Sequence, residues 1–130
     1  GINKAALAKV GGEALCFMSD PDVAQAAKEK GTTRATACMD KAAALGGNLI
    51  IAVGNAPTAL VRLHQLMEEG KIAPRLIIGV PVGFVNVVES KELILSSSVP
   101  FIVARGRKGG SNVAASICNA LLYLATGRTL

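Results

Sequence analysis

Residues 103–116, VARGRKGGSNVAAS, leave an apolar strand-like stretch, pass Arg105, Arg107 and Lys108, reach the glycine pair Gly109 and Gly110, and open a helical pattern at Ser111 or Asn112. Such a turn can hold an anion. Glycine lets backbone N–H groups approach a ligand, while a helix N-terminus and nearby cations favour negative charge. Two other stretches share the setting: Gly54 and Asn55 end one apolar run, and Pro81, Val82, Gly83 and Phe84 end another. If the runs are parallel strands, all three loops lie on one edge of the sheet, where open α/β folds bind ligands. Neither G-x-x-x-x-G-K-[ST] nor G-x-G-x-x-G occurs, which counts against a nucleotide.

The elements that must carry those loops can be read from periodicity and punctuation. Four short apolar runs, at 13–18, 48–54, 75–82 and 100–106, read as parallel strands buried on both faces. Between and around them lie helical patterns. PDVAQAAKEKG has Asp20 as its N-cap, Pro21 in its first turn and Gly31 as its stop; TRATACMDKAAALGG is capped by Thr32 or Thr33 and ends at Gly46 and Gly47. Further helices are expected in APTALVRLHQLMEEGK, VNVVESKELILSSS and SNVAASICNALLYLATG. The alternation predicts right-handed crossovers and a three-layer α/β/α sandwich with a mainly parallel sheet. Residues 1–130 form one domain in this reading, without linker or repeat.

Composition narrows the partners. The net charge of +5 suits an acidic partner, but the aromatic residues are only Phe17, Phe84, Phe101 and Tyr123, each in or beside an apolar run. Single-stranded nucleic acid needs aromatic platforms, so a small anionic molecule fits better. No run of about 18 apolar residues spans a membrane, and residues 1–4 (GINK) do not start a signal segment, so a cytoplasmic protein is expected. Cys16, Cys38 and Cys118 form no C-x-x-C pair and lie in apolar segments, which reads as three buried free thiols. With one histidine in the chain, no metal site is expected.

GNAPTAL (54–60), PVGFVNVVESKE (81–92) and RGRKGGSNVAASICNALLYL (105–124), in this order and spacing, resemble the precorrin-8X methylmutase family, and GTTRATACM (31–39) fits it as well. The resemblance covers essentially the whole chain. It implies a homodimeric α/β isomerase of cobalamin biosynthesis that moves a methyl group from C-11 to C-12 of a ring-contracted tetrapyrrole, giving hydrogenobyrinate or its cobalt form, without a cofactor. The family's proton-donating histidine lies N-terminal to the region seen here, so the expectation is a chain that lacks that segment and carries no catalytic residue of its own. The rival reading is a non-catalytic binding module for an anionic nucleotide or tetrapyrrole.

On this resemblance the anion is a carboxylate arm of the macrocycle. Backbone amides of Gly109, Gly110 and Ser111 would cap one arm, Lys108 or an arginine would pair another, and Val82, Gly83 and Phe84 would meet the apolar ring. Arg34, in a helix first turn where a cation is mildly unfavourable, matches a family arginine near the substrate. Asn55 either caps the APTAL helix or offers its amide to the ligand. Glu89 and Lys91 fall in a resembling motif and stay open between a role at the ligand and the commoner case of solvated helix-surface charges. His64, beside Leu63 and among Arg62, Gln65, Glu68 and Glu69, reads as a surface or boundary residue.

Overall fold

The computed structural model describes residues 2–127; Gly1 of the opening GINK stretch and the last three residues, Arg128, Thr129 and Leu130, lie outside the described residues. The elements run α1 (Lys4–Lys9), α2 (Pro21–Lys30), α3 (Arg34–Leu45), β1 (Ile50–Val53), α4 (Pro57–Glu68), β2 (Leu76–Gly79), α5 (Val87–Leu95), β3 (Phe101–Val103) and α6 (Ser111–Thr126). The sheet is parallel in the order β1-β2-β3, with Ile50 opposite Leu76 and Ile77 opposite Phe101. Two successive βαβ crossovers in one direction place α4 and α5 on the same face.

That face holds the main core. Leu60, Leu63 and Leu66 of α4, Ile94 of α5 and Ala35 and Ala42 of α3 pack on Ile51, Val53 and Ile77. The absence of a side chain at Gly79 lets Leu60 press onto β2, because a Cβ there would stand 3.3 Å from Leu60 Cδ1. Successive residues of a strand point to opposite faces, so Ile78 and Val80 meet the other layer, where Ala114, Ile117, Cys118 and Leu121 of α6 cover them. The α1 end joins that layer through Asn3, whose N–H donates to Asn119 Oδ1 at 2.7 Å. Helices therefore lie on both sides of the sheet.

Three expectations change here. Residues 13–18 form no strand: they run without regular structure into a turn at Met18 and Ser19, with Leu15, Cys16 and Met18 exposed, Phe17 packed against the core and the Met18 sulfur 3.4 Å from the Cys38 thiol. An apolar run of six residues becomes a strand only when a neighbour supplies its ladder, and the outer edge of β1 does not pair with it. β1 is covered on one face only, since Ile51 and Val53 are buried while Ile50 is 59% exposed and Ala52 is open. Finally, Asp20 occupies the N-cap position of α2 without a side-chain capping bond. Its carboxylate instead takes the Lys41 ammonium at 2.7 Å, tying α2 to α3.

Candidate functional site

The loops after β1, β2 and β3 meet at one edge of the sheet, as parallel topology requires, and their glycines are the reason they can meet. A Cβ on Gly54 would lie 2.6 Å from Ser111 Cα and 2.9 Å from the Gly110 carbonyl oxygen, so the start of α6 rests directly on the end of β1. Gly109 has φ +157°, and a Cβ there would come within 2.0 Å of the Val80 carbonyl oxygen. No other residue fits. The Gly110 N–H donates to the Val80 carbonyl at 2.8 Å, and the Gly83 N–H donates to the Arg107 carbonyl at 3.2 Å. The 105–110 loop is thus laced to the 80–83 loop by backbone alone.

A side chain completes the lacing. Lys91 of α5 is 1% exposed, and its Nζ donates to the carbonyls of Gly106 and Lys108, both at 2.8 Å. Burial pushes its pKa below the usual 10.5. Of the two alternatives for these residues, Lys91 is therefore no solvated helix charge, whereas Glu89 is exposed. A signal was available: Val87, Ser90, Lys91 and Ile94 are the buried positions of α5, spaced i, i+3, i+4, i+7, so Lys91 stands in the inward stripe.

Around this frame the site is cationic on one side and apolar on the other. Arg105, Arg107 and Lys108 are exposed. Beside them Phe84 is 85% exposed, with Val82 and Val85 also open, an arrangement that offers apolar contact to a flat ligand. Asn86, with φ 60°, turns this tongue into α5.

Not every expected contributor serves as expected. The Gly110 N–H is already bonded to Val80, so it is not available to a ligand. Gly109 and Ser111 have no backbone acceptor for their N–H groups among the described residues. Asn55 is exposed but does not cap α4, whose N-cap is Ala56 without a side-chain bond. Arg34 lies exposed in the first turn of α3; there Thr33 Oγ1 accepts from the Thr36 N–H at 3.1 Å and meets Thr58 Oγ1 of α4 at 3.1 Å. Because α4 starts just past the end of β1, this bond brings Arg34 to the same sheet edge, and none of its bonds among the described residues reaches the 105–110 loop. His64 is a boundary residue 3.5 Å from Glu68, about 10 Å along α4 from its start. Cys38 is buried and Cys118 half-buried, both with thiols pushed up by burial, but Cys16 is exposed because the 13–18 strand does not form.

A trough of about 570 Å³ runs along the open edge of β1, lined mainly by apolar side chains including Leu15, Phe17, Met39 and Leu49, and reaches Gly54, Asn55 and Ser111 at one end. It joins the strand-end site to the uncovered flank of the sheet.

The family model described as CbiC, precorrin-8X methylmutase, matches residues 1–124. The cobalt-precorrin-8 methylmutase of Salmonella typhimurium is 52% identical over 126 residues, 95% of this chain and 57% of the relative. That of Priestia megaterium is 49% identical over 125 residues, 96% of this chain and 56% of the relative. A crystal structure of precorrin-8X methylmutase from Thermus thermophilus superposes with a TM-score of 0.84 at 38% identity, over 97% of this chain and 61% of that one. The 130 residues therefore span less than two thirds of the length of these relatives.

Proposed function

The chain belongs to the precorrin-8X methylmutase family, and from that premise we propose that it serves the methyl shift of cobalamin biosynthesis, carrying the C-11 methyl of precorrin-8X, or of its cobalt form, to C-12. The bond from the methyl carbon to C-11 breaks as the bond to C-12 forms, and the ring double bonds redistribute, so no electrons leave the substrate and no cofactor is needed. The protein's share is then positioning, together with a hydrogen bond or proton that favours the rearranged conjugation.

The observation that carries this reading is the junction of three strand-end loops, where the cationic 105–110 turn adjoins the exposed tongue at Val82, Gly83 and Phe84. A tetrapyrrole is an apolar macrocycle with several carboxylate arms, and it needs both surfaces at once. Lys108 and the neighbouring arginines pair carboxylates by charge-assisted hydrogen bonds, Gly109 and Ser111 offer N–H groups, and Arg34 and Asn55 extend the polar rim. The chain's one histidine, His64, stands along α4 beside Glu68, so these 130 residues provide a binding surface without a proton donor placed at it. The setting is the cytoplasm; among the described residues no helix is long and apolar enough to cross a membrane.

Absorbance titration with hydrogenobyrinate, paired with spectral monitoring of precorrin-8X conversion, tests the reading. Saturable pigment binding is expected, with conversion slower by about 10²–10⁴-fold than in a polypeptide of the relatives' full length, the usual worth of general acid catalysis. Binding of ATP or NAD in place of the pigment would refute it, and full turnover by these 130 residues would return His64 to candidacy as the donor.

A further inference from the structure

The 105–110 loop is held by three successive carbonyls. Those of Gly106 and Lys108 accept from Lys91 Nζ, and that of Arg107, between them, accepts from the Gly83 N–H. All peptide bonds described are trans, and in a trans peptide the N–H points opposite to the carbonyl of the same unit. Fixing the carbonyls of 106, 107 and 108 against the protein therefore turns the N–H groups of Arg107, Lys108 and Gly109 the other way. None of those three donates to a backbone acceptor among the described residues. Consecutive amides facing outward form a concavity suited to an anion.

Lys91 does more here than a neutral donor could. Its ammonium reaches two carbonyls at once, and among the described residues no carboxylate pairs with it. A buried cation without a counter-ion is costly, and its charge is felt strongly where water is excluded. That charge sits directly beneath the amides it orients. We propose that Lys91 is a positioning residue for the tetrapyrrole's carboxylates: it turns the amides of Arg107, Lys108 and Gly109 toward one acidic arm and supplies the uncompensated charge behind them. The inference rests on the function proposed above and assigns one part of that site.

The test compares hydrogenobyrinate with its methyl ester, which keeps the macrocycle and loses the negative arms. In the unaltered chain the acid is expected to bind about ten-fold or more tightly than the ester, equivalent to roughly 1.4 kcal/mol per decade, and to shift the amide NMR signals of Arg107, Lys108 and Gly109. In Lys91→Met the preference for acid over ester collapses while ester affinity stays within about three-fold, a change within the spread of neutral substitutions. Lys91→Gln, which keeps a neutral donor, is expected to behave likewise and carries the test should Lys91→Met fail to fold. A variant that loses acid and ester equally would show that Lys91 only holds the loop together and would overturn the proposal. If the acid binds the unaltered chain without moving those three amides, the assignment fails while the proposed function stands. If neither pigment binds, the function fails and the assignment with it.

Discussion

Gly109 and Gly106 lie three residues apart in one loop, both with positive φ, yet a side chain would mean different things at each. At Gly109 an added Cβ strikes the Val80 carbonyl oxygen at 2.0 Å, whereas at Gly106 nothing lies within 4 Å. Gly109→Ala is thus expected to lower stability by at least about 1–3 kcal/mol, as strained backbone typically does, and to abolish tight pigment binding by lifting the loop off Val80. Gly106→Ala should cost only about 1–2 kcal/mol of left-handed strain and leave binding nearly intact. Thermal melts with pigment titrations check the pair, and equal binding losses would mean the loop's seat on Val80 does not shape the site. The sequence made the glycines of this turn legible as backbone approach points. It could not reveal what they approach, so the Gly110 N–H read as free for a ligand although Val80 takes it. Lys91 stayed open between two roles for a different reason: its charge was weighed without its place in the inward stripe Val87, Ser90, Lys91, Ile94.

Helix ends were the most legible elements, because capping is local chemistry. Thr33, the Gly31 stop of α2, the Gly46 stop of α3 and the opening of α6 at Ser111 all stand where side-chain and glycine signals put them. Strand 13–18 failed because pairing is not local: its apolar residues flank a turn while β2 and β3 supply the ladder. The same limit hid the exposed face of β1, which depends on how far α6 reaches across the sheet. Thr33 links a local signal to a tertiary one, since its hydroxyl caps α3 and also meets Thr58 at the start of α4. Thr33→Ala removes both and is expected to cost about 1 kcal/mol or somewhat more. Thr33→Ser keeps both bonds and should restore most of it. Arg34 is positioned by that cap, so the Ala variant is also expected to weaken pigment affinity modestly; denaturant melts and titration decide, and a Ser variant as weak as Ala would assign the effect to the lost methyl.

Besides the tongue at Val82, Phe84 and Val85, two apolar surfaces distinguish the molecule as a whole. One is the flank of β1, with Ile50 59% exposed above the 570 Å³ trough. The other is the outer side of α6, where Val113 is open and Leu124 is 77% exposed. Only the second has the form of a self-complementary patch: a regular helix stripe repeated on two copies can close a two-fold contact, whereas an unpaired strand edge is a template that propagates or receives a neighbouring strand. The homodimer that the family resemblance implies is therefore expected to close through α6, and the β1 flank to bear on aggregation. The expected outcome is that Leu124→Lys converts a dimer to a folded monomer in light scattering, because the residue is 77% exposed and touches little of its own chain, with the melting temperature falling only by what association contributed. Ile50→Lys is expected to leave the dimer intact and to suppress aggregation at higher concentration, since a charge on an edge strand blocks further pairing. Should Ile50→Lys dissociate the dimer and Leu124→Lys spare it, the contact between copies passes through the strand edge, and the trough beside Gly54 and Ser111 is then closed by the neighbouring copy.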